Sequence, residues 1–160
     1  MLTSRPSMVA ASLSALFGLG SLAGCDLQDE DIGAIEAERF YNGIATDSEG
    51  GGFRVVLSAR DTLITGKNGL IVHVGFHDPA DLEAPGKGIP EAEVELDAHM
   101  PYSAAYAHAG APVYLGEGDY LFQDLTFAES GVWSLDLAIA VGESMDESAH
   151  FSFIVPALGE

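Results

Sequence analysis

From Phe53 to Val155 the apolar residues recur at every second position, in short runs broken by Gly, Pro and Asp. A period of two is that of a β-strand with one buried face, and it does not fit the 3.6-residue period of an amphipathic helix. Seven segments carry it: Phe53-Ala59, Gly69-Phe76, Glu91-Met100, Pro112-Gly116, Asp119-Phe127, Gly131-Val141 and Ser148-Val155. The alternation also assigns faces. Val94, Leu96, Ala98 and Met100 point one way, while Glu91, Glu93, Glu95, Asp97 and His99 point the other. Trp133, Leu135, Leu137 and Ile139 form a second inward set, and Phe151, Phe153 and Val155 a third. Short strands at regular turn spacing predict an all-β fold: an immunoglobulin-like antiparallel β-sandwich of about seven strands over residues 53–160.

The chain before Phe53 has a different texture. Arg5 is the only charge ahead of Cys25, and the run from Met8 to Gly24 is apolar with small residues at its end. That is the pattern of a secretory signal, and the run is short for a membrane span, which needs about 20 predominantly apolar residues. Leu22-Ala23-Gly24-Cys25 resembles the bacterial lipobox. The resemblance implies cleavage after residue 24, diacylglycerol on the sulfur of Cys25, and attachment to the inner or outer membrane of a cell envelope, with the domain facing the periplasm or the exterior. Buried acyl chains contribute about 0.8 kcal/mol per CH₂, so two or three chains anchor stably. Between Asp26 and Glu49 there are eight acids and one base, followed by Gly50-Gly51-Gly52. Residues 25–52 are therefore expected as a lipidated cysteine and a flexible acidic tether.

Charge narrows the partners. The chain has 6 Lys+Arg against 25 Asp+Glu, a net charge of -19. Nucleic acid and anionic membrane surfaces both require clustered cations, so neither is an expected electrostatic partner. With 48% hydrophobic residues the chain is too apolar to be wholly disordered. Its one cysteine forbids an intrachain disulfide, a Cys-rich zinc site and a CxxC pair.

Several short motifs lie in the β-rich half: Gly66 to Leu70, Gly88-Ile89-Pro90, Met100-Pro101, Gly118-Asp119-Tyr120 and Gly131-Val132-Trp133-Ser134-Leu135. In this order they resemble the YtkA-like domain of bacterial envelope proteins, to which FixH-like proteins are related. The resemblance spans roughly Phe53 to Val155 and implies a sandwich fold. The family often carries a compact His-Gly-His cluster directly after Met-Pro. This chain has Tyr102-Ser103-Ala104-Ala105-Tyr106-Ala107-His108 instead.

Candidate chemistry is sparse. There is no GxSxG elbow and no phosphate-binding loop, so a non-catalytic protein is expected. A metal reading rests on His99, Met100 and His108 around the Met-Pro loop, with copper as the metal that a His/Met set suits. Met145 and His150 are a second such pair. His73 and His77, four strand residues apart, are roughly 13 Å from each other and read as strand-end histidines. A docking reading rests on Glu91, Glu93, Glu95 and Asp97, whose carboxylates would line one strand face about 7 Å apart. The same row also reads as a merely solvated face. The expected function is a lipid-anchored, monomeric binding module for an envelope protein partner. A copper-binding accessory protein is the alternative.

Overall fold

The computed structural model describes residues 37–143 and 145–159. The signal-like segment, Cys25 and the tether as far as residue 36 lie outside the described residues, as does the side chain of Met145. Eleven strands are formed among the described residues: β1 (Glu38–Arg39), β2 (Ile44–Asp47), β3 (Phe53–Ala59), β4 (Gly66–Phe76), β5 (Lys87–Gly88), β6 (Glu93–His99), β7 (Tyr106–His108), β8 (Val113–Gly116), β9 (Asp119–Phe127), β10 (Gly131–Val141) and β11 (Met145–Val155). There is no helix among the described residues.

The strands make two sheets. One has the order β1-β11-β10-β6-β7. The other has the order β2-β3-β4-β9-β8, with the short β5 paired to the end of β4. All pairs are antiparallel except β1 with β11. The inner faces are those the alternation assigned. Val94, Leu96 and Ala98, then Trp133, Leu135, Leu137 and Ile139, then Phe151, Phe153 and Val155, are all buried. They meet Phe53, Val55, Leu57, Val72 and Val74 of the second sheet in one continuous core. Phe127 links the layers, lying edge-on to Trp133 at 4.9 Å between ring centroids and to Phe153 at 6.3 Å. The Trp133 indole N–H is satisfied by the Glu129 carbonyl at 3.0 Å.

The stretch from residue 38 to residue 47, expected as part of a tether, is strand-forming. Residues 38–47 supply a strand to each sheet, so the fold begins well before Phe53. Glu38 and Arg39 add to the outer edge of β11, and Ile44 to Asp47 pair with β3. The acid count concealed this. Phe40 and Ile44 pack against the core, and Phe40 meets Phe153 edge-on at 5.2 Å. Two large apolar anchors suffice to hold a segment whose other side chains are mostly polar.

The turn that follows is fixed by polar groups. Ser48 is the one buried polar residue among those described. Its oxygen accepts the Phe53 N–H at 2.9 Å, and its hydroxyl donates to the Glu147 carboxylate, which also accepts the Gly52 N–H at 3.1 Å. Glu147 belongs to β11, so this contact ties the two sheets together at one flank.

At the far end of β4, backbones approach closely. A Cβ on Gly88 would collide with the Glu117 carbonyl, and one on Gly118 with the Val74 carbonyl. Only glycine permits β5 to lie against the β8–β9 turn there, which explains the glycines of the Gly-Ile-Pro and Gly-Asp-Tyr motifs.

Candidate functional site

The outward face of the first sheet carries most of the polar chemistry. Register places Asp136 of β10 opposite both His150 of β11 and Asp97 of β6, and Asp97 in turn opposite His108 of β7. The result is a row across four strands, reading His150, Asp136, Asp97, His108. Like charges directly opposite each other destabilise a sheet. Here each aspartate has an imidazole beside it: His150 Nδ1 lies 2.6 Å from Asp136 and His108 Nδ1 lies 3.1 Å from Asp97. His99 Nδ1 lies 3.3 Å from the other oxygen of Asp136. All five histidines have a carboxylate neighbour, since His73 faces Asp119 at 2.7 Å and His77 faces Asp47 at 3.1 Å.

His150 is held from both sides, by Asp136 and, through Nε2, by Glu49 at 3.0 Å. A neutral imidazole has one N–H and cannot donate to both carboxylates, whereas the imidazolium can. The Asp136 hydrogen bond above all, with help from Glu49, accordingly raises the His150 pKa above its usual value against the opposing effect of burial. Glu49 responds in the other sense: the Ser148 hydroxyl first, and His150 second, hold its carboxyl below the ordinary glutamate value.

The proposed metal ligands are not gathered. Met100 packs on the core side, with its methyl against Gly131, while His99 looks outward. Adjacent strand residues point to opposite faces, and the turn at Met100–Ser103 leaves that rule intact. His99 pairs across the ladder with Tyr106, not with His108, and the Tyr106 ring lies parallel to His108 at 6.4 Å and tilted against His99 at 6.1 Å. Among the described residues, no group of three or more His, Cys, Asp or Glu is placed to hold a metal ion.

The carboxylate row is where the alternation put it, with one change. Glu93, Glu95 and Asp97 are exposed on β6. Glu91 is exposed too, but stands in the preceding turn at φ 60° rather than on the strand.

Beside this row lies a groove of about 660 Å³ that the sequence did not reveal. Its walls are Glu91 and Ala92 with β6 from Glu93 to Asp97, the segment from Ala109 to Pro112, and Tyr114 of β8; Tyr120 and Phe122 of β9 form its floor. The groove exists because β7 is short. β6 pairs with β10 from Glu93 to His99, but with β7 only from Asp97 to His99. Beyond His108 the chain leaves the first sheet through Gly110 and Pro112 to enter β8 in the other. Proline has no N–H to give a ladder.

Tyr120 of the floor is itself held by hydrogen bonds. Its buried hydroxyl donates to the Ile89 carbonyl at 2.7 Å and accepts the Ala92 N–H at 2.8 Å. Burial pushes this phenol above its usual pKa, so it remains a donor at any physiological pH. The Gly-x-Tyr motif contained the residue, and a buried tyrosine must find hydrogen-bond partners. Which partners it finds depends on a crossover between sheets that no local pattern encodes.

Comparisons with protein-family models, curated proteins and solved structures give no match for this chain.

Proposed function

We propose that the protein is a non-catalytic, lipid-anchored binding module of the cell envelope, built on a YtkA-like domain, that docks a protein partner along β6. One observation carries this reading: the only row of exposed carboxylates on a single described strand borders an open groove whose floor is aromatic. A solvated face needs no groove beside it. A binding site combines an apolar concave floor with a few polar groups at the rim, and a volume of about 300–1,000 Å³ is typical of such sites. The lipobox-like segment and Cys25 supply the anchor in this reading.

Two measurements test it. A photo-crosslinking residue in place of Glu95 should yield one discrete adduct in intact cells, abolished by Glu93→Lys together with Asp97→Lys. A crosslinker in place of Glu83, exposed on the long loop after β4, is the control. Equal adducts from both positions would sink the docking site. For the anchor, metabolic labelling with a fatty-acid probe should mark the wild type and not Cys25→Ala, and equal labelling would overturn it.

A further inference from the structure

We infer that the partner binds by strand addition: an extended segment alternating apolar and cationic residues pairs with the free edge of β6 over Glu93 to Leu96. This rests on the docking reading above and specifies its mode.

Backbone geometry carries the inference. Along an antiparallel strand, successive residues direct their N–H and C=O to opposite edges. The Met100 N–H donates to Ala105 on the β7 side at 3.1 Å, and the Ala92 N–H donates to the Tyr120 hydroxyl at 2.8 Å, away from β10. Even-numbered residues of β6 therefore present their backbone groups to the edge that β7 covers only in part. Between Ala92, satisfied by Tyr120, and Ala98, paired with Ala107, that leaves Val94 and Leu96. No strand flanks them on that side among the described residues. Two residues offer about four hydrogen bonds to an incoming strand.

The walls select the occupant. A strand added about 4.8 Å from β6 sends alternate side chains inward and outward. Inward ones would cover the floor made by Phe122 and Tyr120, where apolar groups are favoured. Outward ones would stand beside Glu93, Glu95 and Asp97, within the reach of a cross-strand pair, where Lys or Arg is favoured. A second copy of this chain is the wrong occupant. Its own β6 would bring acids against acids, in a protein of net charge -19.

The test uses the full-length protein and an acetylated, amidated peptide of alternating Val and Lys long enough to span Glu93 to Asp97. Its partner is the same peptide N-methylated on the amides of one edge, which keeps charge and side chains but removes the pairing donors. The unmodified peptide should bind, slow hydrogen exchange at the Val94 and Leu96 amides, and lose about tenfold in affinity on N-methylation of either edge that faces β6. Glu93→Gln with Glu95→Gln should weaken it several-fold and flatten its salt dependence, and these exposed positions leave the fold intact. If N-methylation is harmless while the glutamine pair abolishes binding, strand addition is overturned and acidic docking stands. If neither peptide binds, both readings fall. If the Val94 and Leu96 amides are already protected in the free protein, the edge is occupied by its own chain or by a second copy, and the inference is overturned.

Discussion

The two lateral flanks of the sandwich are built in opposite ways. At one flank, β1 and β2 extend the two sheets, Phe40 seals the layer between them, and Glu147 joins the Ser48 turn to β11. At the other, β7 ends after three residues, β8 is four residues long with Val113, Tyr114 and Leu115 exposed, and a groove stays open between the sheets. The same chain can close a flank, and does so with a segment that is mostly polar. The open flank is thus not a consequence of too few residues: it follows from where β7 stops.

If that contrast is sound, substitutions at the two flanks should differ in cost. Phe153 is fully buried at the closed flank between Phe40 and Phe127, so Phe153→Ala should lower the unfolding free energy by about 3–5 kcal/mol in a denaturant titration. Glu147→Ala should cost about 1–2 kcal/mol, because it removes the acceptor of the Gly52 N–H and leaves the buried Ser48 hydroxyl only the Phe53 carbonyl at 3.3 Å. Tyr114→Ala, at the rim of the groove, removes a half-exposed ring whose main neighbour is Tyr120 at 5.2 Å and should cost under about 1 kcal/mol. A loss for Tyr114→Ala as large as that for Phe153→Ala would erase the distinction.

The smallest effect is a pH dependence at the closed flank. His150 binds its proton more tightly when folded, so its stabilising contribution is complete below the ordinary histidine pKa of about 6.5 and fades as pH rises through the elevated folded value. Glu49 works oppositely: its contribution is present above the ordinary glutamate pKa and is lost as pH falls through the depressed folded value. Melting temperature should therefore peak in mildly acidic solution, between those two ranges. His150→Ala should flatten the decline on the neutral side, and an unchanged slope would show that the Asp136–His150–Glu49 contact contributes nothing to stability.

What could be read before the structure follows the reach of each physical signal. Period-two alternation is local, so β3, β4, β6, β8, β9, β10 and β11 were legible, β3, β9 and β10 to the residue. Even so, β9 contains a break that alternation could not explain: Tyr120 and Phe122 face inward, and so do Leu125 and Phe127. The parity is restored by a bulge, in which Gln123 and Asp124 oppose the single Gly69 and Asp124 takes φ 67°. The strands β1, β2, β5 and β7 are short and hold their places through long-range pairing, which composition does not report. The carboxylates of β6 were legible as a face. The free edge next to them was not, because it is defined by the strand that is missing.

The position of β1 bears on how far the domain can reach. The chain enters the fold along the outer edge of β11, and β6 lies three strand spacings away across the first sheet, about 14 Å. If the domain is leashed by its N-terminus as proposed, it is gripped at its sealed side, and a longer or shorter leash would change the volume the domain sweeps without changing the proposed docking edge.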